Sequence, residues 1–493
     1  MATNRNFIVK QGIQVGGNAT CGSTWSSNNF ISNKNDLLSE ALFNFDFSKG
    51  AIDPRIQTIR SDVSRASTVA ANGKIVIVSN NTPRVIYNLD TGLCDGLLSE
   101  ESRTNTQPYS DIEGPVGTVP LGMNTAGGSD QRPLVSTDVW IGPNKQSCKH
   151  TRGPVADNNV GYMGTFTGTG LTSTTFTFSV YLYIPSNTTI TTCTMQFESA
   201  TLTLSPNPTA SANLSIRDRW QRISGTCIVT GGSGTAAPVL RIDPVGAVVY
   251  SDCWQIERGE YASSWIPTLG ASSSTRGEEQ HYIDIKPGQL TKEFSFFIEA
   301  APLWFSNSTL LAANNSAGVA GSAGGTRGLF GLYSTAAPVT QFGSPIFYGY
   351  GVVTGSSGNY SLSLGSRQYN VNTPLQANSG TATDLYLTQA GYDANTYRPN
   401  NYIKIAGGAN TTTSKITLGY SNNLIITTQD PAGGQTIYFN QFENPNHQLD
   451  RILIGWQYRG GVPNHQWGGM IKKFVVFPRM LSNIEFQSLV EYT

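Results

Sequence analysis

Charge is what this chain has least of. Only 13% of its 493 residues are Asp, Glu, Lys or Arg, against a usual share of about 25%. The 32 basic residues balance the 32 acidic ones. A surface so weakly charged and neutral overall does not draw phosphate backbones or anionic lipid from a distance, so neither nucleic acid nor membrane is an expected partner. Long apolar runs are missing too. No stretch approaches the roughly 18 residues that a membrane-spanning helix needs, and residues 1–30 lack the apolar core of a signal peptide. Cysteine is sparse and scattered. Its six positions, Cys21, Cys94, Cys148, Cys193, Cys227 and Cys253, contain no C-x-x-C pair. That spacing predicts neither a zinc knuckle nor a dense disulfide frame, and the thiols read as small buried apolar groups. Without an acidic loop of EF-hand density, no metal or other cofactor is expected.

What is present suits strands. Gly numbers 52 and aromatics make up 10% of the residues, with abundant Ser, Thr and Asn. That is the composition of many short strands joined by tight turns. The clearest strand is 176–184. Phe176, Phe178, Val180, Leu182 and Ile184 alternate with Thr177, Ser179, Tyr181 and Tyr183, a period of two that predicts a half-buried strand ended by Pro185. Similar strands recur at 202–204, 223–229 and 239–242. A second set runs from 293–299 through 329–333, 346–353, 360–364, 402–405 and 451–458 to 471–477. Upstream, 42–47 and 74–78 read as strands, the latter behind an Asn72-Gly73 turn. One helix is predicted at the end, where Ser482 and Glu485 make a capping box ahead of 484–491. Residues 311–326 read as a loop.

The length predicts several cores rather than one. The expected fold is all-β, with two antiparallel β-sandwich (jelly-roll) domains preceded by an extended N-terminal arm. The boundaries are 1–40 for the arm, 41–110 for a linking β segment leading into the first sandwich, 111–270 for the first sandwich, and 271–493 for the second with its terminal helix.

Certain phrases carry a resemblance. They are Phe45-Asp46-Phe47 with Asp53-Pro54-Arg55; Gly96-Leu97-Leu98-Ser99-Glu100 with Arg103-Thr104-Asn105; Trp254-Gln255-Ile256-Glu257-Arg258-Gly259 with Ser264-Trp265-Ile266-Pro267-Thr268 and Ser274-Thr275-Arg276; and Trp467-Gly468-Gly469-Met470-Ile471 with Phe477-Pro478-Arg479. In this order they resemble a recurrent family of bacteriophage structural proteins. There a leader precedes a carbohydrate-binding-module-like jelly roll and then a concanavalin/laminin-G-like sandwich. The chain departs from that pattern at Asp62-Val63-Ser64 and in having Trp265 for the usual Tyr. The arm phrase Asn6-Phe7-Ile8-Val9-Lys10 resembles the opening of marine cyanophage structural proteins. The resemblance implies a virion location, an arm that meets other virion proteins, and a homo-oligomer with a trimer favoured.

Catalytic patterns are weak. None of the four histidines, His150, His281, His447 and His465, stands beside a G-x-S-x-G elbow. Glu100-Glu101 and Glu278-Glu279 are adjacent pairs, which an extended backbone would point to opposite faces. They are expected to be exposed solvating charge rather than a glycosidase pair, so no enzyme is expected. Sugar binding calls for aromatic faces on which pyranose rings can stack, with amide and Arg groups reaching the sugar hydroxyls. The candidates are Trp304, Tyr348, Tyr350, Trp456, Tyr458, His465 and Trp467, with a core role weighed against each tryptophan of the 456–467 group. Three functions remain in view: a tail fibre or appendage protein that contacts host glycan, an architectural capsid or tail protein with no ligand, and a polysaccharide depolymerase.

Overall fold

The structure is a computed structural model of the chain. It describes residues 34–61, 65–124, 132–154, 159–163, 166–167, 172, 174–199, 201–205, 209–286, 288–290, 293–303, 327–333, 347–354, 359–367, 384–392, 402–410, 415–420, 427–429, 450–459, 462–464 and 466–491, with two short strands, Ile8–Val9 and Ile13–Gln14, in the arm. Residues 1–40 form a unit of their own, in which those two strands pair and a short helix, Lys34–Ser39, follows. That helix was not foreseen in the arm.

The first sandwich faces a 6-stranded sheet against an 8-stranded one. In the 8-stranded sheet, Thr175–Tyr183 lies between Trp220–Gly232 and Val248–Arg258; in the 6-stranded sheet, Thr235–Asp243 lies between Asn159–Met163 and Thr192–Glu198. Phe176, Phe178, Val180 and Leu182 point inward as their alternation predicts, meeting Met195, Phe197, Leu240 and Ile242 from the other sheet. The Phe178 and Phe197 rings meet edge to face at 4.6 Å, a favoured geometry for their quadrupoles.

The strand Thr175–Tyr183 is not half-buried, however: Thr177, Ser179 and Tyr181 on its other face are buried as well. A two-stranded hairpin, Ala66–Val69 with Ile75–Val78, supplies part of the cover. Its Val69 and Ile75 join Ile141, Tyr181, Trp220, Tyr250 and Trp265 in a separate apolar cluster. An alternating sequence records that two faces differ, not that one of them meets water.

The second sandwich pairs a 7-stranded sheet with another 8-stranded one. Phe294, Phe296, Ile298, Ile471, Phe474 and Val476 from the latter close on Ile283, Phe330, Leu332, Ile452 and Ile454 from the former. Here the segment 41–110 departs from its expected role. Phe43–Asp46 pairs with Gly469–Phe477, placing Phe45 opposite Phe474; Ile56–Ile59 pairs with Gln280–Asp284; and Cys94–Ser99 lies between Arg84–Tyr87 and Gly469–Phe477. Residues 43–59 and 84–99 therefore build the second sandwich rather than lead into the first, while the hairpin between them packs on the first. The chain leaves at Arg103–Asn105, folds the jelly roll, and returns through Ser274–Arg276, which pairs with that same short strand. The jelly roll is an insertion in the second sandwich.

The closing helix, Asn483–Glu491, carries the capping box read from sequence: Ser482 N–H donates to Glu485 at 2.6 Å, and Glu485 N–H points back at Ser482 Oγ. The described cysteines, Cys94, Cys148, Cys193, Cys227 and Cys253, are free and buried, as expected for small apolar groups. No helix among the described residues is long and apolar enough to cross a membrane.

Candidate functional site

The sequence pointed to aromatics of the second sandwich, and the structure withdraws two of them. Trp467 is fully buried in the core. Trp456 is 5% exposed, packs on Tyr282 and Leu453, and donates its indole N–H to the His281 carbonyl at 2.7 Å. Neither offers a ring face to a ligand, because burying a tryptophan here removes more apolar area from water than any other side chain could. Tyr348 and Tyr350 lie on Phe347–Thr354, and Tyr458 on Gln457–Arg459. The side chains of these three lie outside the described residues, as do Trp304 and His465 entirely.

The paired glutamates are the second correction. Glu100 and Glu279 are fully buried and Glu101 nearly so, while Glu278 is half-buried. Arg84 reaches Glu279 through Nε and Nη2 at 2.7 Å each and Glu100 at 2.8 Å; Arg60 reaches Glu279 at 3.0 Å, and Arg276 reaches Glu100 at 3.0 Å. Ser264 adds its N–H and Oγ–H to Glu100 at 2.7 and 2.6 Å. Burial, the largest single influence, would raise the Glu279 carboxyl, but Arg84, His281 and Arg60 together outweigh it and hold the group at about 2. Glu100 is likewise held low by Arg276 and Arg84 against its burial. These carboxylates are spent on structure and closed to solvent.

The network explains the phrases that carried the family resemblance. Asn105 takes the Ile256 N–H at 3.0 Å and donates to the Ile266 carbonyl at 2.8 Å. Gln255 accepts from Ile266 N–H at 2.7 Å, and Glu257 accepts from Ser263 N–H and Oγ–H. Arg103 pairs with Glu101 and lies over the Tyr261 ring. Gly259 stands at φ 136, and a Cβ there would fall 1.2 Å from Arg103, so only glycine fits. Those residues fasten the inserted jelly roll to its host sandwich.

The two described histidines are closed off as well. His150 Nε2 lies 2.7 Å from Ser251 Oγ, a serine–histidine contact, yet both residues are fully buried. Burial pushes the His150 imidazole down to about 4. His281 is held between Thr58 Oγ1 at 2.7 Å and the Leu98 carbonyl at 2.9 Å.

Two open grooves lie on the jelly roll. A groove of about 530 Å³ runs over the end of the 8-stranded sheet, lined by Lys149, Tyr183, Asn187, Thr188, Val248 and Tyr250 among others. Tyr183 is half-buried, packed against Trp220 at 5.6 Å and edge-on to Tyr250 at 6.1 Å. Tyr250 donates its hydroxyl to Asp138 at 2.9 Å, which holds that carboxyl below its usual range. Lys149 pairs with Asp138 at 3.6 Å and sits 5.7 Å from the Tyr250 ring centre. The Pro185–Thr189 loop brings Asn187 and Thr188 to the rim, and Asp218 accepts the Ser186 N–H at 2.9 Å behind it. A second open groove, of about 870 Å³, crosses the 6-stranded sheet past Gln196, Glu198 and Arg241, where Arg241 pairs with Glu198 and donates to Asn159. The sequence did hold a signal for the first groove. Tyr183 is the last outward residue of the best-marked strand, one residue ahead of a Pro-Ser-Asn-Thr loop.

Fold and grooves define a class: an all-β protein of two antiparallel sandwiches, one inserted in the other, whose described acidic pairs serve the junction. The chain matches no known family model and no curated protein. Solved structures that resemble part of it include the CBM40 module of the Ruminococcus gnavus IT-sialidase bound to α2,3-sialyllactose, at 14% identity over 41% of this chain and 85% of that one, with a TM-score of 0.27. The NanB sialidase of Streptococcus pneumoniae matches at 13% identity over 43% of this chain and 26% of its own, with a TM-score of 0.28. A SAP-like pentraxin from Limulus polyphemus matches at 12% identity over 42% and 74%, with a TM-score of 0.25. Superposition at that level assigns this chain neither a ligand nor an activity.

Proposed function

We propose that this chain is a non-enzymatic structural protein of a bacteriophage virion, a fibre or tail appendage whose jelly roll contacts host-surface glycan. The observation that carries the glycan half is the Tyr183 groove. A half-buried aromatic ring is flanked by an ammonium, a carboxylate, an amide and hydroxyls, the set of groups that stack on a sugar ring and reach its hydroxyls. The virion half rests on the phrases shared with phage structural proteins across 41–493. In this reading the arm, 1–40, meets other virion proteins, and a homo-oligomer, a trimer favoured, multiplies shallow weak sites into useful avidity.

The absence of catalysis is part of the proposal. What supports it is that Glu100 and Glu279, one from each of the adjacent glutamate pairs weighed against a glycosidase role, are locked against arginines. The architectural reading without ligand has one observation in its favour, that the family phrases serve the sandwich junction. Adsorption of purified protein to host cells and to a glycan array separates the two. Binding that Tyr183→Ala removes supports the adhesin, and no binding at high protein concentration removes it. Release of oligosaccharide from host envelope glycan would restore the depolymerase.

A further inference from the structure

Away from the grooves and the junction, one cluster of side chains is disposed as metal ligands are. The strand Val248–Arg258 bulges where Tyr181 pairs with Asp252 but Ser179 pairs with Gln255, so that Cys253 and Trp254 together face Val180. The bulge holds Cys253 at φ 53, a left-handed conformation that costs a non-glycine residue about 1–3 kcal/mol and persists where the surroundings impose it. That turn brings its thiol to the carboxylates of Asp252 and Asp111, with the three ligand atoms within 4.8 Å of one another. All three residues are buried, Asp111 at 3% exposure and the others at none.

Two further observations point to a ligand. Asp252 is fixed in place, its Oδ2 accepting N–H groups of Ile141 and Gly142 at 3.2 and 2.8 Å and its Oδ1 that of Cys253 at 2.8 Å. Asp111 Oδ1, by contrast, is buried with no hydrogen-bond partner among the described residues, a costly state for an ionised oxygen. A glycine keeps the shared space clear: a Cβ on Gly142 would lie 2.8 Å from Asp111 Oδ1, 3.1 Å from Asp252 Oδ2 and 3.1 Å from Cys253 Sγ. Calcium would need about six to eight oxygen ligands. Two carboxylates and a sulfur suit instead the low-coordinate, sulfur-tolerant ions.

We propose that Asp111, Asp252 and Cys253 hold one borderline divalent cation of the zinc class, which ties the segment entering the jelly roll to its last strand. The sulfur–metal bond forms as the Cys253 S–H proton departs to solvent, with no change of oxidation state.

The test uses the full chain, stripped with a chelator and titrated with Zn²⁺ and then, separately, Co²⁺. One equivalent of Zn²⁺ is expected to bind and raise the thermal midpoint, and Co²⁺ to develop a sulfur-to-metal charge-transfer band. Cys253→Ser is expected to abolish the band. Gly142→Ala, which fills the space between the ligands, is expected to weaken binding at least tenfold. No Zn²⁺ or Co²⁺ binding by the wild-type chain overturns the proposal, as does a Co²⁺ band that survives Cys253→Ser. Stabilisation by Ca²⁺ with no sulfur band from Co²⁺ overturns the assigned class of ion. The Co²⁺ spectrum of the wild-type chain decides without any variant, should a variant fail to fold.

Discussion

Tyr183 of the first sandwich and the tryptophans Trp456 and Trp467 of the second do opposite work. In the second, Trp467 is sealed in the core and Trp456 is pinned by a hydrogen bond to the His281 carbonyl. In the first, Tyr183 leaves part of its ring at an open groove beside Lys149, Asp138 and Asn187. The same chemistry serves as filling in one place and as a surface in the other. The difference is set by what covers the ring, which residue type alone does not report.

That contrast can be broken at its most deeply buried points first. Trp467→Ala is expected to cost about 3–5 kcal/mol, the range for truncating a fully buried tryptophan, seen as a lowered denaturant midpoint, while glycan binding persists in whatever fraction folds. Glu279→Ala is expected to cost a comparable amount, about 3–5 kcal/mol, because it removes the buried carboxylate that Arg60 and Arg84 share. Its loss falls on the junction, so calorimetry should then resolve the two sandwiches as separate transitions.

Acid sharpens the comparison without mutation. His150 in the jelly-roll core titrates near 4 when folded, below its ordinary 6.5, and Glu279 at the junction near 2, below its ordinary 4.5. Both folded values are depressed, so both contributions are complete above the unfolded values and decline as pH falls. The contribution of His150 should be lost between about pH 6.5 and 4, and that of Glu279 between about 4.5 and 2. Circular dichroism melts across that range check the order.

Tyr183→Ala should have the smallest effect on folding, less than about 1 kcal/mol for a half-exposed ring at a groove. It should nevertheless lower glycan affinity about tenfold, equivalent to about 1.4 kcal/mol.

Much of the fold could be read from alternation, because period two in 176–184 directly marks which residues meet the opposing sheet. The insertion could not. Phe45 opposite Phe474 is a pairing across most of the chain, and a strand pattern carries no address for its partner. The outer face of Thr175–Tyr183 misled for the same reason, since part of its cover, the hairpin bearing Val69 and Ile75, lies about a hundred residues upstream. The paired glutamates looked like solvated charge because their arginine partners, Arg84 and Arg276, stand far off in sequence.

The account rests on the groove beside Tyr183 being where sugar meets this chain, and hydrogen exchange read by mass spectrometry tests that directly. On adding host-surface oligosaccharide, protection is predicted in the peptides spanning 183–189 and 245–250. Protection confined to 456–467, with those jelly-roll peptides unchanged, would contradict it.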